Sequence, residues 1–500
     1  MLELLKKENN ETFARTENDA AALASTGSDC LDLFASIGAL RAADEEEIRR
    51  RFVRAFAEDR TTALRILFYA RDIRGGLGER RVFRVILAYL AVHAPEVVEK
   101  LLPLVAEYGR WDDVAALVDT PPCAPCAARV IAAQLRADLR ALSAGESVSL
   151  LAKWLPSINT SSRAAVMRGR RLARLLGQTE AQYRKTLVQL RRRIAIIEDH
   201  LRTKDYTFDY EKQPSRALFL YRRAFLRNDK ERYTEFITRV ERGEASMHVG
   251  TLYPYDLIRP LLDFDVVYGT SQGREPFSEE ERRSMDAAWR SLPDYTHGEN
   301  ALVVMDGSGS MYQWGANPQP IAVAVSLAVY FAERNEGRFK NHFITFSQHP
   351  RLVEVKGARI DEKAAYCTSF NEAADTNIQA VFELILETAV KNGLSQEELP
   401  ARLYIISDME FNICTQNADM TNFAYAKELF ASHGYTLPEV VFWNVASRHG
   451  HQPVAQNEQG VMLVSGCSPS VFGMVVEERI TPYDYMMQVL GSERYAGISA

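Results

Sequence analysis

The sequence predicts an α + α/β multidomain chain, an all-α, HEAT-like helical array followed by a doubly wound, Rossmann-like α/β domain. Three observations carry that expectation. The chain has 500 residues, more than one compact core usually holds, so two or more domains are the starting point. Apolar residues in the first half recur at helical spacing with almost no strand signal between them. From about residue 298 short apolar runs alternate with amphipathic helices, the pattern of a parallel sheet.

The elements follow in order. Residues 1–30 are polar and expected to be flexible. In the array, spanning 31–260, Ile48, Phe52, Val53 and Phe56 share one helix face, followed by Ala63, Leu64, Leu67 and Phe68 on the next. Further helices are expected at 82–90, 97–105, 111–117, 129–142, 164–176, 180–200, 216–225 and 231–242. Short polar connections make them an array of helix pairs, although no strict repeat period is present. Residues 261–297 read as a polar linker (270–276) and a charged helix. In the domain at 298–480, strands are expected at 301–305, 342–346, 351–355, 403–407, 440–445 and 461–465. Helices are expected between them at 321–333, 378–392, 422–433 and 471–477. Residues 481–500 form a tail free to dock back.

Composition narrows the function classes. With 47% hydrophobic and 25% charged residues, a large core is possible and long disorder is not required. A net charge of −6 argues against a generic nucleic-acid or membrane glue. The average hides an asymmetry, because residues 163–242 hold 21 Lys/Arg against 10 Asp/Glu. Cys123 and Cys126 are the one CxxC pair, and no second pair or histidine couple completes a zinc set, so this stretch reads as a helix-start turn. Scattered thiols, a polar N-terminus and no apolar run of transmembrane length lead us to expect a soluble cytoplasmic protein with no membrane partner.

The sharpest chemical signal is the stretch from Ala301 to Met311. A buried strand ends in Asp306, and Ser308 and Ser310 follow at alternate positions in a glycine-rich loop. Ligands of open α/β sheets bind just beyond the carboxyl ends of strands. A carboxylate and two hydroxyls are hard donors, suited to Mg²⁺ first, then Mn²⁺ or Ca²⁺, rather than zinc. Asp408 ends a second apolar strand at the same edge, and Thr376 precedes an amphipathic helix. Asp375 is an alternative to Thr376, which would then only cap the helix. Glu410 reads as a solvated edge carboxylate.

Together these residues resemble the metal-ion-dependent adhesion site (MIDAS) of von Willebrand factor A domains, over roughly 180 residues. The resemblance implies direct metal contacts from Ser308, Ser310 and Thr376, with Asp306 and Asp408 often acting through water. It also implies that an acidic group of a protein partner fills the last coordination position.

A whole-chain resemblance rests on other segments. They are Phe68 to Arg80, Tyr108 to Asp113, Trp154 to Ser157, Asp209 to Ala217, Asp408 to Phe411 and Val440 to Asn444. These look like a family of unknown function from bacteria, plants and large viruses. In architecture that family is similar to the Ro/TROVE RNA-binding proteins, a helical-repeat ring closed by a von Willebrand A domain. The implied function is binding of small non-coding or structured RNA, in ribonucleoprotein assembly or RNA quality control. The sequence adds a basic stretch with Arg168, Arg170, Arg171, Arg174, Arg184, Lys185, Arg191, Arg192, Arg193, Arg222 and Arg223. Arginine forks match phosphates, and Tyr183, Tyr206, Tyr210 and Tyr221 are candidates for stacking on bases. The alternatives are solvated helix faces with intrahelical ion pairs, and a protein-interaction scaffold that works through the metal site without RNA.

Enzyme readings have little to stand on. No histidine ligand pair sits on a helix, His449 and His451 lie in a polar loop, and no nucleophile–base pair is legible. The glycine-rich stretch Arg71 to Arg80 lacks the Gly-Lys-Ser/Thr ending and the preceding strand of a phosphate loop, so it reads as an interhelical turn. The expectation is a binding protein, not an enzyme.

Overall fold

Helix starts in the first half are written in short polar side chains. Asp44, Asp59, Ser162 and Thr179 each accept a hydrogen bond from a backbone N–H of the first turn they precede. The computed structural model describes residues 13–250, 252–262, 277–296, 298, 300–313, 316–346, 349–370, 376–412, 420–469 and 480–500. After a hairpin of β1 (Phe13–Arg15) and β2 (Ala21–Leu23) come α1 (Asp29–Ser36), α2 (Glu45–Glu58), α3 (Arg60–Arg71), α4 (Arg81–His93), α5 (Pro95–Tyr108), α6 (Trp111–Ala116) and α7 (Ala124–Ser143). The array continues with α8 (Leu151–Trp154), α9 (Arg163–Leu175), α10 (Glu180–Ile194), α11 (Ile197–Thr203), α12 (Ser215–Asn228), α13 (Lys230–Glu241), α14 (Pro254–Ile258) and α15 (Glu279–Arg290). The helix expected at 180–200 is in fact two. Ala195 takes a left-handed conformation at φ 52°, which ends α10 and re-aims the chain. The expected linker at 270–276 lies outside the described residues.

The second half contains β3 (Ala301–Asp306), α16 (Pro320–Arg334), β4 (His342–Phe346), β5 (Arg351–Glu354), α17 (Ile360–Thr368), α18 (Ile378–Asn392), β6 (Arg402–Ser407), α19 (Asn422–Ser432), β7 (Glu439–Asn444), β8 (Val461–Ser465) and α20 (Pro482–Leu490). The expected helix at 471–477 lies outside the described residues. The six strands form one sheet in the order β5-β4-β3-β6-β7-β8, parallel except for β5, which runs antiparallel to β4. Side chains alternate across it. Val304, Ile405 and Phe442 meet Val381, Phe382 and Phe430 of α18 and α19 on one face. Val303, Tyr404, Trp443 and Val464 lie on the other face with Val325 and Val329 of α16.

That second face is shared with the first half of the chain. Its apolar core continues into α1 through Leu31 and Phe34 and on through the helical array. Helix α1 packs on β8, and Gly38 is required there because a Cβ would sit 2.7 Å from the Ser465 backbone. Residues 13–28, part of the stretch expected to be flexible, are likewise held. Leu23 pairs with Gln452 and Asp19 with Asn412 by β-bridges, and Ala20 and Ala22 are buried. The array leaves the sheet at α1 and returns to it where α14 packs on α16 and α15 on α17. The tail does dock back on the array. Arg494 and Tyr495 bond to the buried carboxylate of Asp72, and Lys100 donates to the Ala500 carbonyl. Among the described residues, no helix is long and apolar enough to cross a membrane.

Candidate metal centre at the carboxyl edge of the sheet

Sheet register builds the site. Met305 pairs with Ile406, so Asp306 and Ser407 emerge side by side from the two central strands. The Ser407 hydroxyl donates to Asp306 Oδ2 at 2.6 Å, and the Ser308 backbone N–H donates to Asp306 Oδ1 at 2.9 Å. The glycine-rich loop then turns so that the hydroxyls of Ser308 and Ser310 lie 3.0 Å apart. Met409 adopts a left-handed φ of 67°, rare for a side chain of that size, in the turn that separates Asp408 from Glu410.

Electrostatics sets this cluster apart from an ordinary turn. Asp306 is fully buried and Asp408 is 1% exposed. Burial and the neighbouring Asp408 carboxylate push the Asp306 carboxyl up to about 7. Burial also raises Asp408, against the opposing pull of Arg448 and the Ser310 hydroxyl. Two buried carboxylates with two convergent hydroxyls form an oxygen-only donor set that favours extra positive charge, and a hard divalent cation fits it. Part of that charge now comes from Arg448, which donates to Asp408 Oδ2 at 3.0 Å.

Thr376 occupies a neighbouring position. Its buried hydroxyl lies 3.0 Å from the Glu410 carbonyl and 2.7 Å from Asn412 Oδ1, so it braces the loop that carries Asp408. Asp375 lies outside the described residues. Glu410 is not solvated as expected but 1% exposed. It accepts from the Glu17 backbone N–H at 2.7 Å and contacts His449 Nδ1 at 2.8 Å. Among the described residues, Glu410, His449 and His451 also form a group whose ligand atoms lie within 4.8 Å of one another. Sequence reasoning missed Ser407, Arg448, the hairpin residues Glu17 and Asn18, and this histidine pair. The signal for Arg448 and the histidines was present, since all three follow β7 at the same sheet edge.

The basic residues are placed very differently. Arg168 and Arg171 pair with Asp119, Arg170 with Glu180, and Arg222 and Arg223 with Glu281. Arg191 donates to the Ala152 and Leu155 carbonyls and to Ser157, while Arg193 donates to the Gly145 and Glu146 carbonyls. Arg174 reaches the Arg170 carbonyl. Arg184, Lys185 and Arg192 are exposed and have no ion pair among the described residues. Of the tyrosines, Tyr183 and Tyr210 are buried and cannot stack on a base, whereas Tyr206 and Tyr221 are partly exposed. At the start of α7 the Cys123 thiol donates to the Ala91 carbonyl of α4 and the Cys126 thiol to the Cys123 carbonyl, and burial raises Cys123 to about 12.

The fold and site define a protein with a helical array closed against a mixed α/β half that carries a carboxylate–hydroxyl cluster. The chain belongs to the family described as domain of unknown function DUF2828, whose model matches residues 16–118 and 125–296. A second family model, domain of unknown function DUF7788, matches residues 300–490. An uncharacterized protein of Acanthamoeba polyphaga mimivirus is 28% identical over 515 aligned residues, covering 95% of this chain and 86% of that one. Among solved structures, the Ro (RSR) protein of Deinococcus radiodurans aligns with 93% of this chain and 100% of its own, at 14% identity and a TM-score of 0.47.

Proposed function

We propose that the protein is a divalent-metal-dependent binding protein of the von Willebrand A type, its metal-bearing half built onto a Ro-like helical scaffold. One observation supports this above the others: Asp306, Ser308, Ser310 and Asp408, at the ends of two adjacent strands and in the loops that follow, converge with both carboxylates buried. The two serine hydroxyls would hold the cation directly, with Asp306 and Asp408 behind them and Thr376 and Ser407 fixing the loops. A bound Mg²⁺, Mn²⁺ or Ca²⁺ would supply an anchor for an acidic side chain of a protein partner. The test is thermal melting of the full chain with each ion and with Zn²⁺. A rise with hard cations that is lost in Asp306→Ala and in Ser308→Ala supports the reading. Equal melting with and without them contradicts it.

A second reading, RNA binding by the helical half, is favoured by Arg184, Lys185 and Arg192 along α10, exposed and without an ion pair among the described residues. Phosphate contacts release counterions, so this binding weakens steeply with salt. Protein purified without nuclease should retain a defined small RNA, seen in its 260/280 nm absorbance ratio and by sequencing. Changing these three residues to Glu should remove it. Failure to titrate any RNA at low salt ends this reading.

A further inference from the structure

Three of the segments that carry the family resemblance converge on a place the metal site does not explain. Six arginines, Arg41, Arg71, Arg80, Arg81, Arg110 and Arg216, line one cavity of about 360 Å³, and among the described residues Glu79 is the one carboxylate that lines it. The connector Arg71 to Arg80 forms one wall. Arg110 comes from the start of α6 and Arg216 from α12. Tyr253 and Tyr255 enter where the array returns, and Asn317 enters from the loop that follows the metal cluster.

The cavity is a built feature. Gly78 has a φ of +68°, and a Cβ there would sit 2.2 Å from the Tyr253 hydroxyl, so the glycine lets the connector close against the returning chain. Arg41 is locked by a two-oxygen contact to Glu79 at 2.7 and 2.8 Å, and Arg71 by Asp113 at 2.8 Å. Arg80 pairs with Asp112, and Arg216 lies 3.4 Å from Asp256. Among the described residues, two of these guanidinium groups have no carboxylate partner. Arg81 donates to the carbonyls of Arg41 and Ala43, at 3.2 and 2.6 Å. Arg110 lies over the Trp154 ring at 4.6 Å and has no ion pair among the described residues. Burial, then Arg71, with Arg80 and Arg216 further off, depress its affinity for its own proton despite Asp112. A partly buried arginine held among other arginines is what a fixed anion relieves.

The geometry points to a binding site for a phosphate-bearing ligand in this cavity, separate from the metal cluster and independent of its function. Guanidinium forks bind phosphate oxygens two at a time, and preorganised forks on several elements select a phosphomonoester or diphosphate over a lone carboxylate. The volume suits a nucleotide-sized group. The phosphate can belong to a free nucleotide or to the end of an RNA chain, and the same contacts serve both.

The test is calorimetric titration of the full chain, without divalent metal, with pyrophosphate, ADP and adenosine. In parallel, one short oligoribonucleotide is titrated with a 5′-phosphate and with a 5′-hydroxyl. Binding of any phosphate-bearing probe, weakened tenfold or more in Arg110→Gln and in Arg81→Gln but retained in Asp306→Ala, establishes the site. Affinity for ADP or pyrophosphate alone identifies a small ligand, and preference for the 5′-phosphate RNA identifies a chain end. Arg81 is exposed, so its variant answers the question even if Arg110→Gln fails to fold. No binding by folded wild-type protein at low salt overturns the proposal, as does binding that neither substitution weakens.

Discussion

The sheet edge and helices α9–α12 were both marked by the sequence as binding regions, yet folding treats them oppositely. At the edge, Asp306 and Asp408 are both buried and close enough to repel, and the Asp306 carboxyl is raised to about 7. Along the helices, the charges that look clustered in sequence are parted by the helical turn, and most find a carboxylate or a helix-end carbonyl. Like groups held together against electrostatics mark a site more reliably than an excess of one charge in a stretch of sequence.

Arg191 should show the largest effect. It satisfies two carbonyls at the end of α8 and the Ser157 hydroxyl, so Arg191→Ala should cost about 2–4 kcal/mol. Urea denaturation would measure this. A loss under ~0.5 kcal/mol would return Arg191 to the free basic set and weaken the contrast.

Arg448 tests the other side. It neutralises Asp408 at 3.0 Å and also pairs with Glu17. Hydrogen bonds to charged groups are worth roughly 1.5–3 kcal/mol. Arg448→Ala should therefore bind Mg²⁺ about tenfold or more tighter than wild type, as read by calorimetry. Unchanged affinity would mean that this cation does not compete with the metal.

The smallest effect on stability belongs to Arg184, Lys185 and Arg192. Each change to Ala should alter unfolding free energy by less than ~0.5 kcal/mol. If the RNA reading holds, each should still lower the slope of RNA affinity against salt by about 1.

How much was legible follows the same division. The five parallel strands of the sheet were readable because each is a short, largely apolar run bounded by polar turns, whereas the edge strand β5 buries only Val353 and was marked by Leu352, Val353 and Val355 alone. The gathering of Asp306, Ser308, Ser310 and Asp408 at one sheet edge was readable because they end or follow two such runs directly. Thr376 was placed in the right neighbourhood, but its hydroxyl bonds to Glu410 and Asn412, a detail set by loops that carry no periodic signal. The hairpin at 13–23 was missed because three-residue strands fall below any periodicity, and β-bridges to Asn412 and Gln452, far along the chain, help to hold it. The break at Ala195 was missed because alanine favours helix and nothing local announces a left-handed residue. The arginine cavity draws on residues from 41 to 317, which meet only once the array has returned to the sheet.

The most direct test of the central claim is the unfolding free energy of the full chain with and without Mg²⁺, beside Asp306→Ala. Mg²⁺ at a hundred times its dissociation constant should stabilise the wild type by about 2.7 kcal/mol. The variant should gain nothing. A wild-type chain indifferent to Mg²⁺, Mn²⁺ and Ca²⁺ alike, or a variant that responds as fully as wild type, would contradict a metal centre at Asp306, Ser308, Ser310 and Asp408.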